Sequence, residues 1–304
     1  MSIVVVGSVA FDTVQTPAGR AEGVLGGSAS YFSVAASFFA PVHLVAVVGE
    51  DFGEDHARIF HDRDIDTAGL SHVPGRTFRW SGVYGDDINQ RTTLSTELNV
   101  FQEFKPVLPE RLRKAEYLFL ANIDPELQRS VLDQMRRPKL VACDTMNFWI
   151  EGKREAVRDM LKGVDILVIN DEEARQLALE ANTVRAAKKI LGFGPSSLII
   201  KRGEYGAALY TSGSHFAVPA YPLLDPVDPT GAGDSFAGGF MGHLARKGSL
   251  DDVSIRQALV VGSVMASFCV EDFSLRRFAT LRPEQIRTRL KEFGRMTQFA
   301  DPAQ

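Results

Sequence analysis

The chain has 304 residues, 45% hydrophobic and 24% charged, enough for one sizeable core with an appendage or for two domains. Its net charge of −4, with basic residues scattered along the chain, argues against a nucleic-acid partner or an anionic membrane. The two cysteines, Cys143 and Cys269, stand far apart in apolar runs and fit buried thiols, with neither disulfide nor metal spacing.

In chain order, the N-terminus opens on an apolar strand over 3–7 with no basic leader. No apolar run approaches the roughly 18 residues of a membrane span, so the expected compartment is the cytoplasm. The strand ends in Gly7-Ser8-Val9-Ala10-Phe11-Asp12. Polar residues at the carboxyl end of a strand in an open parallel sheet point into the ligand crevice, so Asp12 either accepts hydrogen bonds from two hydroxyls of a sugar or serves as a turn residue. Gly26-Gly27 opens a strongly apolar helix over 28–39. The glycines let a ligand approach the backbone, Ser28 can cap the helix, and Tyr31 either stacks on a ring or packs in the core. A strand over 43–49 and a helix over 53–63 follow. His56 and His61 are five residues apart, do not share a helical face, and read as solvated surface in preference to a metal site.

Two regions, 11–23 and 77–104, break the alternation of strands and helices. In the second, 77–84 and 91–96 read as strands about a turn at 85–89, which predicts a small antiparallel sheet inserted into the larger domain. The rhythm then resumes, with strands over 117–121, 140–144, 165–170 and 197–202 and helices over 125–136, 151–162 and 171–179. Asn147 and Trp149 follow the 140–144 strand into the same crevice, Asn147 to bond substrate and Trp149 to close a wall. Asn170-Asp171-Glu172-Glu173 starts a helix, where acidic residues are favourable on dipole grounds alone. Lys201-Arg202-Gly203-Glu204-Tyr205-Gly206 follows a strand and carries two glycines. After strand and loop over 215–224 come helices over 231–246, 254–268 and 283–293. Short apolar strands alternating with helices require a mostly parallel sheet covered on both faces.

The most informative segment is Asp228-Pro229-Thr230-Gly231-Ala232-Gly233-Asp234-Ser235. It reads as a glycine-bearing turn that opens a buried helix. Gly231, Ala232 and Gly233 let an anion reach the backbone N–H groups, and the helix N-terminus adds partial positive charge. A carboxylate beside a bound anion needs a separate task, and for Asp234 that task is to accept a proton from an attacking hydroxyl. An oxyanion cradle beside a general base suits phosphoryl transfer to an alcohol.

With its small and apolar continuation to Met241, this segment resembles the C-terminal motif of the ribokinase-like (PfkB) family of carbohydrate and nucleoside kinases. The resemblance extends over nearly the whole chain. It implies a three-layer α/β/α fold with a mostly parallel central sheet and a small antiparallel β lid, formed by one domain over 1–304 with lid segments at about 11–23 and 77–104. It implies that Asp234 is the catalytic base and that the backbone from Gly231 to Asp234 forms the anion hole. The family's matching aspartate binds substrate hydroxyls, which favours that role for Asp12. Gly26 and Gly27 match the N-terminal glycine motif, but Tyr31 stands where the family usually has asparagine. Asn170 and Glu173 match the N-x-x-E motif, which implies that Glu173 holds Mg2+-bound water. Lys201 and Gly203 fall in the nucleotide loop, near the phosphates or ribose of ATP. Asp228 and Thr230 match one side of the family's monovalent-cation site, whereas the other side, 267–274, has no glycine, leaving dependence on K+ open.

The expected protein is an ATP- and Mg2+-dependent kinase that transfers the γ-phosphate to a hydroxymethyl group of a sugar or nucleoside. Aromatic surface from Tyr31, Phe32, Phe78, Trp80 and Trp149 favours a ribose-bearing acceptor. A kinase of a free hexose, pentose or inositol, and a non-catalytic nucleotide-binding regulator, are the alternatives. A homodimer through the lid is the expected assembly. A Rossmann oxidoreductase is disfavoured because Phe236 stands where G-x-G-x-x-G needs its third glycine.

Overall fold

The computed structural model describes residues 1–298; residues 299–304 of the expected domain lie outside the described residues. A nine-stranded sheet runs from Asp66–His72 at one edge through Val42–Val48, Ile3–Val6, Tyr117–Leu120, Leu140–Cys143, Ile166–Asn170 and Ser197–Lys201, all parallel. Ala207–Thr211 and His215–Val218 then hairpin back antiparallel at the other edge. Ile3 and Val5 pack into one core, while Val4 and Val6 pack into a second. Both faces of each central strand are therefore buried, which is why these strands read as unbroken apolar runs.

Helices Ser28–Ser37, Ala232–Lys247 and Asp252–Cys269 cover the first face. Helices Pro125–Gln134, Arg154–Leu161, Asp171–Ala178 and Thr183–Leu191 cover the second, completing three layers. By length and composition Asp252–Cys269 could cross a membrane, but it is mostly buried within the fold. A helix covered on several sides has no need of a polar stripe.

Several elements were not foreseen. Asp66–His72 is an edge strand of mixed polar and small residues with no fully buried position, so alternation is faint there. Thr183–Leu191 starts at Asn182, whose side chain accepts from the amides of Val184 and Arg185. The helix expected over 151–162 is two helices, and the first, Asn147–Gly152, carries Asn147 on its opening turn.

The 11–23 region is a hairpin within a second sheet, ordered Gly19–Gly26, Ala10–Thr16, Phe78–Tyr84 and Arg91–Glu97. This small sheet is antiparallel within its two hairpins and parallel where they meet. One face presents Asp12 beside Trp80 and, further along, Tyr84 beside Arg91. That face rests on the 227–230 segment: Thr16 Oγ1 donates to the Val227 carbonyl at 2.8 Å, and Thr230 Oγ1 donates to the Tyr84 hydroxyl at 3.1 Å. At the root of the sheet, the Asp51 carboxylate accepts from Thr77 N–H at 2.7 Å and from Arg79 at 2.8 Å.

Candidate active site

The carboxyl ends of the parallel strands and the inner face of the small sheet meet at the turn before helix Ala232–Lys247. Gly231 has φ 77°, and a Cβ on it would lie 2.3 Å from the Tyr31 ring, so both backbone and space demand glycine. Tyr31 is only 1% exposed. Helix Ser28–Ser37 carries its ring inward, where it forms a floor under the turn and offers no open stacking surface. Ala232 N–H donates to the Pro229 carbonyl at 3.1 Å. The amides left for an anion are then those of Gly231, Gly233 and Asp234, part of the unpaired first turn that every helix has.

Charge is concentrated below this turn. Lys201 ends its strand with Nζ 3.5 Å from Asp144 Oδ2, and a Cβ on Gly233 would stand 2.8 Å from that ammonium. Burial, then Asp144, pushes the Asp234 carboxyl well above the ordinary range, while Lys201 opposes the shift. Burial and Asp144 likewise bring Glu173 up to about 7. Burial opposes the Lys201 ammonium, but Asp144, Glu173 and Asp234 outweigh it and keep it protonated. Three carboxylates thus converge on one lysine. Arg91, from the small sheet, is a second cation whose field lowers Asp12, Glu173 and Asp234.

Asp144 and Arg91 were not singled out from the sequence. Asp144 follows a strand that adjoins Ile166–Asn170, as Lys201 and Asn170 end theirs, and that shared position was a legible signal. Arg91 sits at the far end of a hairpin, and nothing local in the sequence aims it at the cleft.

Asp12 is 4% exposed, and burial, then Asp228, raises its carboxyl to about 7. A Cβ on Gly26 would fall 1.9 Å from Asp12 Oδ2, so the glycine makes room for this carboxylate. The next residue, Gly27, is the N-cap of helix Ser28–Ser37. Ser28 is not that cap: its amide donates to Ser8 Oγ at 3.0 Å.

The remaining candidates are more committed to internal bonds than expected. Asn170 N–H donates to Glu173 Oε2 and Glu173 N–H to Asn170 Oδ1, each at 2.8 Å, a reciprocal capping box. Glu173 Oε1 is the oxygen that this box leaves free. Asn147 is half-buried, and it is Asn122 that accepts the Trp149 indole N–H, at 3.1 Å. Gly203 lies against the small sheet's turn, where a Cβ would meet Asn89 Oδ1 at 2.1 Å.

The oxygens expected to face a monovalent cation are engaged by protein donors. Asp228 Oδ1 accepts from Thr230 N–H at 2.8 Å and Oδ2 from Ser274 N–H at 3.5 Å. The Thr230 carbonyl accepts from the Cys269 thiol at 3.4 Å, and the Val270 carbonyl from Val227 N–H at 2.7 Å. Each of these oxygens thus already accepts a hydrogen bond from the protein. Ser274 takes φ 58° without being glycine, so the loop turns despite the missing residue.

Comparison with known proteins agrees with this architecture. The chain is 29% identical over 258 residues to cytidine kinase of Thermococcus kodakarensis, covering 83% of this chain and 91% of that one. The structure resembles the nucleoside kinase of Methanocaldococcus jannaschii, an archaeal member of the ribokinase family, with TM-score 0.76 and 21% identity over 96% of this chain and 98% of that one. It also resembles aminoimidazole riboside kinase from Salmonella enterica, complexed with aminoimidazole riboside and an ATP analog, with TM-score 0.77 and 20% identity over 95% and 100% of the two chains. The pfkB family carbohydrate kinase profile matches residues 2–279. With that match across most of its length, the chain belongs to the pfkB family of carbohydrate kinases, phosphotransferases that act on an alcohol group.

Proposed function

We propose that the chain is an ATP-dependent nucleoside kinase, one kinase domain over 1–304 whose segments at about 11–23 and 77–104 act as a lid. The observation that carries this reading is the placement of Asp234 on the anion-binding turn, with Asp12 on the acceptor side and Lys201 on the other. The relationship to cytidine kinase supports a nucleoside acceptor.

In this reading Asp12, Gly26 and Gly27 hold the ribose, with Asn147 and Tyr31 behind the site as wall and floor. The ribose hydroxymethyl oxygen forms a bond to the γ-phosphorus as the bond from that phosphorus to the bridging oxygen of ADP breaks. Asp234 takes the hydroxyl proton. A buried carboxylate with a raised pKa is a stronger base for this transfer than an ordinary one. The amides of Gly231, Gly233 and Asp234 receive the charge of the transferred group, and Lys201 reinforces them from below. Ala232 and Thr230 shape the turn. Asn170 positions Glu173, and Gly203 lines the nucleotide loop under the lid.

The residues fit a magnesium–nucleotide, because Asp144, Glu173 and Asp234 outnumber the one lysine among them. Among the described residues no cluster of three or more His, Cys, Asp or Glu side chains is placed to hold a metal directly. Glu173 would therefore hold Mg2+ through water, and the ion would supply charge neutralisation at the phosphates. The cytoplasm, where ATP is abundant, is the compartment that belongs with this proposal.

The test is ADP release from Mg·ATP with nucleosides, hexoses, pentoses and inositols as acceptors, each repeated with Asp234→Asn. Nucleosides should turn over, and Asp234→Asn should reduce kcat by at least about a hundredfold with ATP binding intact. Surviving turnover in the variant would remove Asp234 as the base.

A further inference from the structure

Of the aromatic residues near the cleft, four are occupied elsewhere. Tyr31 lies under the Gly231 turn, Phe32 stacks on Phe119 at 4.2 Å, and Phe78 stacks on Phe101 at 5.3 Å. The Trp149 indole is held by Asn122. Trp80 differs. In the parallel pairing of Ala10–Thr16 with Phe78–Tyr84 it stands directly beside Asp12, on the same face of the lid. Adjacent strands are about 4.8 Å apart, so a molecule gripped by the Asp12 carboxylate has this side chain as its neighbour.

The indole lies along its own strand, flat over Gly82. A Cβ there would fall 2.3 Å from its Cη2 and 2.4 Å from its Cζ2. Its Nε1 donates to Thr93 Oγ1 at 3.4 Å, fixing the ring plane, and Val14, Tyr84, Val227 and Phe273 form the apolar bed around it. The Arg91 guanidinium lies over the ring, 5.4 Å from its centroid, on an exposed side chain that a stacking base would displace. Trp80 itself is half-buried. The result is a flat ring backed by the lid, next to the carboxylate that binds sugar hydroxyls.

We propose that Trp80 is the specificity-determining platform of this enzyme: the base of a nucleoside stacks on the indole while Asp12 holds the ribose of the same molecule. The inference rests on the reading of the chain as a nucleoside kinase. A free pentose fills only the Asp12 end and leaves the indole uncovered, so the platform separates nucleosides from free sugars. Stacking tolerates any flat base, because every base presents a π face.

Steady-state kinetics of Trp80→Leu and Trp80→Phe test this, with nucleosides and free ribose as acceptors. Trp80→Leu should raise the nucleoside KM about tenfold or more, the loss expected when a stacking ring is removed. It should leave the KM for ATP and any turnover of free ribose unchanged, and Trp80→Phe should recover most of the nucleoside affinity. The chain has two tryptophans, so Trp149→Phe makes Trp80 the sole indole fluorophore. Nucleosides should quench it and ribose should not, which decides the matter even if Trp80→Leu fails to fold. Unchanged nucleoside KM in Trp80→Leu, or no quenching by a nucleoside that Trp149→Phe phosphorylates, would overturn the platform and leave the kinase reading standing. A wild-type enzyme that phosphorylates only free sugars would overturn both.

Discussion

Asp12 concentrates the conflict between folding and function at a single residue. Its carboxyl titrates near 3.8 when free and at about 7 in the folded chain, chiefly because it is buried. Between those values the unfolded chain has released a proton that the folded chain retains, so stability falls as pH rises from about 4 to about 7 and stays reduced above that. Asp12→Asn removes the penalty. Thermal melts of this variant should show a higher Tm than wild type at about pH 8 and little difference at about pH 4. Glu173, also raised to about 7, predicts the same sign for Glu173→Gln. Gly26→Ala attacks the same carboxylate sterically, since its Cβ would fall 1.9 Å from Asp12 Oδ2. Displacing a charged hydrogen-bond acceptor should raise the acceptor KM on the order of tenfold, with the KM for ATP unmoved. That Asp12, Gly26 and Asp234 come to one crevice was legible in the sequence, because each sits where a strand or turn delivers it there. The placement of Tyr31 was not, because an aromatic on an apolar helix has no local feature that says which way its ring faces.

At the scale of the element, the segment after helix Asp252–Cys269 supports the turn at 227–231. Glu271 lies between Arg277 at 2.6 Å and Arg289 at 2.5 Å, and the Arg289 guanidinium stands 3.6 Å from the Phe268 ring centroid. Arg289 also donates to Ser267 Oγ at 3.0 Å. Removing the shared carboxylate leaves two guanidinium groups unpaired in a largely shielded place. Glu271→Ala should lose about 1–3 kcal/mol in urea unfolding, with kcat reduced as the turn loosens. The absent glycine in 267–274 was visible in the sequence, but its remedy was not. Ser274 adopts the left-handed conformation because Asp228 and Leu25, distant in the chain, accept its two hydrogen bonds.

At the scale of the molecule, the small sheet has an open edge. Strand Arg91–Glu97 is exposed along its whole length, Leu94 is 63% exposed, and the strand pairs on one side only. An exposed edge of this kind is a template for pairing with another chain. We therefore propose a homodimer that pairs through this edge. Light scattering should give twice the 304-residue mass for wild type, and Leu94→Lys should shift it toward the monomer. A monomeric wild type would refute the assembly.

The sequence by itself determined the layers and the glycine-bearing turn that opens helix Ala232–Lys247. Apolar strands alternating with helices admit little besides a doubly covered parallel sheet, and the Asp228–Ser235 segment carries its chemistry locally. Only the tertiary structure decided which residues share the site. Asp144, Lys201, Glu173 and Asp234 come from four separate elements, and their shifted pKa values exist because folding buries them against one another. Trp80 and Arg91 reach the cleft because a hairpin folds over it in a register that places Trp80 beside Asp12. Local pattern reports how a segment meets its own layer; burial, register and electrostatic coupling are properties of pairs distant in sequence, and those were settled only when the chain packed.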